Sequence, residues 1–177
     1  MNKKTLSVRD TVVFGMLGAL MYSSKLIMEA LPNIHLVGVL TVAITLVYRA
    51  RALFPIYVYV LLCGVFGGFT TWWLPYLYVW TILWGFIMLV PKKTPKNVAR
   101  VALPIICGFH GLIFGALCAP VQAIAFGLGP EETLAWIAAG LPFDITHAVS
   151  NLVFGLLILP LRDLLLWLDK GGRHKRT

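Results

Sequence analysis

Charged residues are scarce in this sequence, and their scarcity excludes an ordinary soluble domain. Only 12% of the 177 residues are charged and only 7 of them are Asp or Glu, whereas 59% are hydrophobic. The mean hydropathy is +0.86. This composition is typical of chains that are embedded in a lipid bilayer. We therefore predict an integral membrane protein.

Sequence motifs of several enzyme classes are also missing. The chain contains no G-x-x-x-x-G-K-[ST] loop for a nucleotide phosphate, no G-x-S-x-G and no H-E-x-x-H. We predict that the protein is not an enzyme. Any transport that it performs with ATP then requires a partner that carries the ATPase.

Cysteine and histidine are too few and too dispersed to predict a cofactor. Cys63 and the two other cysteines lie in apolar runs without a C-x-x-C spacing, so we interpret them as small hydrophobic side chains. His35, His110 and His147 fall at different predicted depths and share no short H-x-x-H spacing. We therefore predict no metal and no heme.

Basic residues are present in excess, with a net charge of +8, and their positions predict topology rather than nucleic-acid binding. Most of them lie at the N-terminus, in the turn 49–51, in the loop 91–100 and in the C-terminal tail, whereas the loops 29–35, 69–75 and 127–133 hold none. Under the positive-inside rule, both termini are cytoplasmic and the number of spans is even.

Apolar runs between these loops predict an all-α, six-helix membrane bundle that forms a single domain over residues 1–177. Asp10 or Thr11 is the predicted cap of the first helix. Insertion into a bacterial plasma membrane is the simplest outcome. The predicted spans are 11–31, 35–48, 52–68, 76–90, 101–126 and 133–168.

A polar stripe interrupts the last apolar span. Asp144, His147 and Asn151 fall within about 60° of one another on a helical wheel. Polar groups inside a membrane mark candidate functional sites because each of them needs a partner. Asp144 is predicted to contact a ligand. His147 and Asn151 either form the floor of its pocket or join a hydrogen-bond network that holds the helices together.

Further polar and aromatic residues are predicted near the outer ends of the spans, where they suit a small-molecule pocket with aromatic faces for a flat heterocycle. Two other interpretations stay open. Lys25 and Glu29 also suit an ion pair within one helix, and Trp or Tyr residues also serve as membrane-interface anchors. The predicted ligand-binding residues besides those of the polar stripe are Lys25, Glu29, Asn33, His35, Trp72, Trp73 and Tyr76.

Small residues form a ridge on the first helix, at Gly15, Ala19 and Ser23. Such ridges allow two helix backbones to approach closely. The ridge therefore serves either internal helix packing or the docking of a separate membrane subunit.

Four segments taken together resemble an S component of an energy-coupling factor (ECF) vitamin transporter. They are residues 31–38, 48–53, 72–80 and 142–151. The resemblance implies a subunit that captures a vitamin with high affinity at the outer face of the membrane. It also implies docking on an ECF module of one membrane coupling protein and two ATPases, and at the family's Ala-x-x-x-Ala docking positions this chain has Gly15 and Ala19.

Two other classes remain open at the level of the sequence. A membrane enzyme acting on a lipid or isoprenoid would use Asp144 and His147 as an acid and base pair. A structural membrane protein would use the polar stripe only to specify helix packing and would bind no ligand.

Overall fold

The computed structural model describes residues 6–31 and 33–174 and is helical, with no strand in that part of the chain, which confirms the all-α prediction. Short 3₁₀ turns occupy Arg49–Ala52 and Gly155–Leu157. The helices are α1 Val8–Ile27, α2 Val37–Tyr48, α3 Leu53–Gly67, α4 Tyr76–Leu89, α5 Lys96–Leu112, α6 Phe114–Phe126, α7 Pro130–Phe154 and α8 Ile158–His174.

Three helical stretches in the described residues are long and apolar enough to cross a membrane. They are Val37–Gly67, Lys96–Phe126 and Pro130–Lys170, and the shorter α4 is also apolar. Their length and composition are those of a membrane protein. Passage through the membrane six times stays a prediction.

The first helix begins earlier than the apolar pattern predicts, because a polar cap precedes the apolar run. Ser7, rather than Asp10 or Thr11, is the N-cap: its hydroxyl accepts from the Asp10 N–H at 3.1 Å, and the Asp10 carboxylate accepts from the Ser7 N–H at 3.2 Å. This capping box satisfies two backbone donors that a helix start leaves unpaired. The helix then ends at Ile27, before the predicted limit at residue 31.

The last two predicted spans are each divided in the structure. The stretch predicted as 101–126 is two helices separated at Ile113, and the stretch predicted as 133–168 contains the 3₁₀ turn Gly155–Leu157. The first division leaves the N-terminus of α6 inside the fold, where its backbone N–H groups need partners.

The directions of the helices follow from residue pairs along their contacts. Phe14 near the start of α1 stacks on Phe54 near the start of α3 with ring centroids 5.9 Å apart. Tyr22 further along α1 stacks at 5.5 Å on Phe66, which lies near the end of α3. The two helices are therefore parallel.

Glycines allow α5 and α7 to pack closely in the antiparallel direction. A Cβ placed on Gly108 would meet the Leu152 side chain at 2.7 Å, and one on Gly111 would meet the Ala148 backbone N at 3.0 Å. Only glycine fits such an approach without displacing the neighbouring helix. We name this contact the glycine seam.

The basic segments meet at one end of the fold, which we call the basic end. Arg9 pairs with Asp169 at 3.2 Å, and Arg51 pairs with Asp10 at 3.3 Å. Arg49 donates to the Met88 carbonyl oxygen at the end of α4 at 2.8 Å. The start of α4, the loop before it and the start of α6 lie at or toward the opposite end.

Candidate functional site

A cavity of about 310 Å³ opens away from the basic end, between α4, α6 and α7. We call it the outer pocket. Its lining combines aromatic rings with one carboxylate, which is the composition of a site for a small polar heterocycle. The lining residues are Asn33, Trp72, Tyr76, Phe114, Gly115, Cys118, Trp136, Gly140, Phe143 and Asp144.

Asp144 is 7% exposed and lies where α6 begins. Its two carboxylate oxygens lie 3.0 and 3.1 Å from the Gly115 nitrogen, which donates to the carboxylate. The N-terminus of a helix carries partial positive charge and unpaired N–H groups, so a carboxylate is stabilised there. A Cβ at position 115 would lie 2.5 Å from the Asp144 Oδ2 atom, so any larger residue there would displace the carboxylate.

Two tryptophans stand at the mouth of the outer pocket, Trp72 from the turn before α4 and Trp136 from α7. Trp72 is 61% exposed, and its ring centroid lies 6.3 Å from that of Trp136. Tyr76 and Phe114 form part of the wall, with centroids 6.5 Å apart. Four of the predicted ligand-binding residues thus line one cavity: Asn33, Trp72, Tyr76 and Asp144.

Sequence reasoning missed Trp136 and Phe114. The spacing of Trp136, Gly140 and Asp144 was the available signal, because residues four apart lie on the same face of a helix. Phe114 carried no signal, since the apolar run around it gives no indication that the helix breaks at Ile113.

Trp73, although predicted to bind ligand, does not line the outer pocket. Its indole Nε1 donates to the Val60 carbonyl oxygen of α3 at 2.8 Å, and its ring packs edge-on against Phe69 at 4.9 Å. The turn before α4 directs consecutive side chains to different sides, so Trp72 faces α7 while Trp73 faces α3. Trp73 therefore holds the turn in place.

Lys25 and Glu29 also lie outside the pocket lining. They form the i,i+4 pair that was the alternative interpretation, with 3.8 Å between the Lys25 Nζ and Glu29 Oε1 atoms. The Glu29 side chain is 66% exposed. Helix α1 packs chiefly against α3, whereas the outer pocket lies between α4, α6 and α7.

Two buried histidines form a layer next to the outer pocket. The imidazole rings of His35 and His147 lie 4.7 Å apart, and the His147 ring lies 4.9 Å from Phe114. Phe114, which lines the cavity, thus lies beside the His147 ring. His35 Nδ1 and His147 Nε2 are buried without a hydrogen-bond partner among the described residues.

Asn151 joins helices rather than lining the cavity. Its Nδ2 donates to the Cys107 carbonyl oxygen at 3.1 Å, across the glycine seam. A Cβ on Gly38 of α2 would lie 3.0 Å from its Oδ1 atom. Three helices thus meet at Asn151, as the hydrogen-bond alternative for the polar stripe describes.

The small-residue ridge on α1 faces away from the rest of the described chain. A Cβ on Gly15 would meet nothing within 4 Å, and Ala19 and Ser23 are exposed. The glycine that packs internally is Gly18, where a Cβ would lie 2.5 Å from Val58. The interpretation of the ridge as internal packing is therefore wrong, and its docking role stays a prediction.

Metal-binding groups do not cluster in the part of the chain that the structure describes, where no three His, Cys, Asp or Glu side chains are placed to hold an ion. Comparisons with protein-family models, with curated proteins and with solved structures find no match to this chain. The resemblance to the ECF S components therefore depends on the sequence segments alone.

Proposed function

We propose that this protein is the substrate-binding S component of an ECF-type uptake transporter, which spans a bacterial plasma membrane six times with both termini in the cytoplasm. Its substrate is a small water-soluble vitamin or related heterocycle, captured at the outer face. The observation that supports this proposal is the outer pocket, which lies away from the basic end and combines a buried carboxylate with several aromatic rings.

The size and lining of the outer pocket suit this role. A cavity of about 310 Å³ is at the small end of the range for ligand sites. Trp72 and Trp136 at the mouth offer faces for a flat ring, and Asp144 offers an acceptor that fixes its orientation. Trp72 is 61% exposed, so a ligand can reach its ring from outside the fold.

The exposed ridge at Gly15, Ala19 and Ser23 is a surface on which a helix of another subunit could dock against α1. Its small side chains allow close approach of another helix, and the exposed apolar residues Met16 and Leu20 lie beside it. In this proposal the partner is the membrane coupling protein of an ECF module whose two ATPases supply the energy, because this chain has no nucleotide-binding loop.

The binding role is tested by purifying the protein from cells grown in rich medium, denaturing it and identifying released small molecules by mass spectrometry. We expect one heterocycle in near-stoichiometric amount from the native chain, and less of it from Trp72→Ala and Asp144→Asn. Asp163→Asn is the matched control, since it removes the same charge on the exposed helix α8. Absence of any released molecule from the native protein contradicts the proposal.

The docking role is tested by uptake in cells that express the ECF module. Ala19→Phe places a bulky ring on the ridge, so we expect uptake to fall to background while the purified variant still binds substrate. Ala125→Phe, at an exposed position on α6, is the control and should transport normally. Normal uptake by Ala19→Phe contradicts docking through this face.

The geometry gives less support to the rival enzyme. Asp144 is bonded to the backbone of Gly115, whereas the His147 ring contacts Phe114 and His35. The two side chains that would form an acid and base pair are thus engaged with different partners.

A further inference from the structure

The charge of the outer pocket determines which charged ligands it can accept. Asp144 is the one charged side chain among the described residues that line it. Lys25, the cation predicted nearest to the site, is paired with Glu29 and does not belong to the lining. An anionic ligand therefore finds no cationic side chain in the lining.

The helix N-terminus beside the pocket does not supply the missing positive charge. The start of α6 would attract an anion, because a helix N-terminus carries roughly half a positive charge. Asp144 already occupies that position, with both of its oxygens within 3.1 Å of the Gly115 nitrogen. A full negative charge against about half a positive charge leaves the site negative overall.

The aromatic rings of the lining also favour a cation over an anion. Trp72, Trp136 and Tyr76 present rings to the cavity, and the face of an aromatic ring is electronegative. A cation over such a face is attracted to it, and indole is the strongest of these partners. An anion at the same place is repelled.

We propose that the outer pocket selects a flat heterocycle that carries a positive charge, and that it rejects analogues whose charge is negative. The ring lies against the tryptophans at the mouth, and its positive group faces the Asp144 carboxylate. This inference rests on the proposed binding function and deepens it by naming the chemical class of the substrate.

Three probes of nearly equal size isolate the effect of charge: the N-methylnicotinamide cation, neutral nicotinamide and the nicotinate anion. Binding of each to the full-length protein in detergent is measured by equilibrium dialysis with radiolabelled compound, after bound substrate has been removed. We expect the cation to bind at least about tenfold more tightly than the anion, with the neutral compound between them.

Asp144→Asn tests the source of the preference. The amide oxygen still accepts from the Gly115 N–H, so the fold is retained while the charge is lost. We expect the difference between cation and anion to shrink to less than about threefold, whereas Asp163→Asn keeps it. Nicotinate binding as tightly as the cation, an unchanged preference in Asp144→Asn, or no binding of any probe contradicts the inference.

Failure of this inference and failure of the proposed function are distinguishable through the molecule released from the native protein. A stoichiometric heterocycle with only negative charge leaves the binding function intact and overturns the charge selection. Release of no molecule, together with no binding of the three probes, overturns both.

Discussion

The two ends of the molecule use their polar groups differently. At the basic end, Arg9 and Arg51 are paired with carboxylates, and Arg49 donates to carbonyl oxygens at the end of α4. Around the outer pocket, the Asp144 carboxylate accepts from the backbone N–H of Gly115, and a buried nitrogen of His147 has no partner among the described residues. The polar groups of the basic end are paired with one another or with a helix end, whereas a polar nitrogen beside the outer pocket is left without a partner among the described residues.

We expect variants of the two ends to have different effects, on stability at the basic end and on ligand binding at the outer pocket. Substitutions at the basic end or in the helix contacts should lower stability without changing ligand preference. Substitutions in the pocket lining should change binding with little effect on stability. Each prediction below is measured by thermal unfolding in detergent, alongside binding of the N-methylnicotinamide cation.

The largest effect is expected from Trp73→Ala, which removes a ring that packs on Phe69 and bonds to the Val60 carbonyl oxygen. We expect a loss of about 3 kcal/mol of stability, near the lower limit for deleting a buried aromatic side chain because Trp73 is half-buried. Trp72→Ala is the matched control: it should unfold at nearly the native temperature and bind the cation more weakly. The reverse pattern would place Trp73 in the ligand site.

A smaller loss is expected from Gly111→Ala in the glycine seam. The new Cβ would lie 3.0 Å from the Ala148 backbone N and 2.9 Å from the Asn151 Nδ2 atom, so α5 and α7 must separate. Overpacking of this kind costs about 2 kcal/mol. Gly85→Ala on α4, where a Cβ meets nothing within 4 Å, should not destabilise the protein. Equal unfolding temperatures for the two variants would show that the seam is not close-packed.

Arg49→Met tests the basic end directly. It keeps the apolar stem of the side chain but removes the donors to the Ile87 and Met88 carbonyl oxygens. We expect a loss of about 1.5 kcal/mol with unchanged preference for the cation over nicotinate. Asp144→Asn should show the opposite pattern, with native stability and altered preference. A change of ligand preference in Arg49→Met would remove the distinction between the ends.

The smallest effect is expected from Asp10, through the dependence of stability on pH. The hydrogen bond from the Ser7 backbone N–H is the main cause that lowers the pKa of Asp10 below its ordinary value of 3.8. Because the folded state holds the charged form more strongly, this contribution is present above the unfolded pKa and is lost as the pH falls through the folded pKa. Asp10→Asn should therefore lose less stability than the native chain on acidification below about pH 4. An identical decline in both proteins contradicts this role.

Much of the fold was predictable from the sequence because its signals are local. The limits of α2, α3 and α4 lie within two residues of their predicted spans, since proline, glycine and arginine punctuate the apolar runs there. The start of α1 was missed because its cap lies in the polar residues before the run. The break at Ile113 was missed because Asp144, which accepts from the Gly115 N–H just after the break, is distant in the sequence.

The candidate site was predictable only in part. The positions of Asn33, Tyr76 and Asp144 along the predicted spans placed them near the same end of the bundle, and the structure has all three in the lining of one cavity. Their contact with a ligand stays a prediction. The rotation of each side chain depends on packing against other helices. The sequence of a turn does not say which of two adjacent tryptophans faces the pocket, and Trp73, which was predicted to bind ligand, is not among the lining residues.

In the proposed function, the outer pocket holds a small flat substrate. An experimental structure of the protein purified from rich medium, without removal of bound molecules, tests it most directly. We expect density for one planar molecule near Trp72 and Trp136, with a polar atom within hydrogen-bond distance of the Asp144 carboxylate. A bound molecule elsewhere, or a pocket closed by its own side chains, would contradict it.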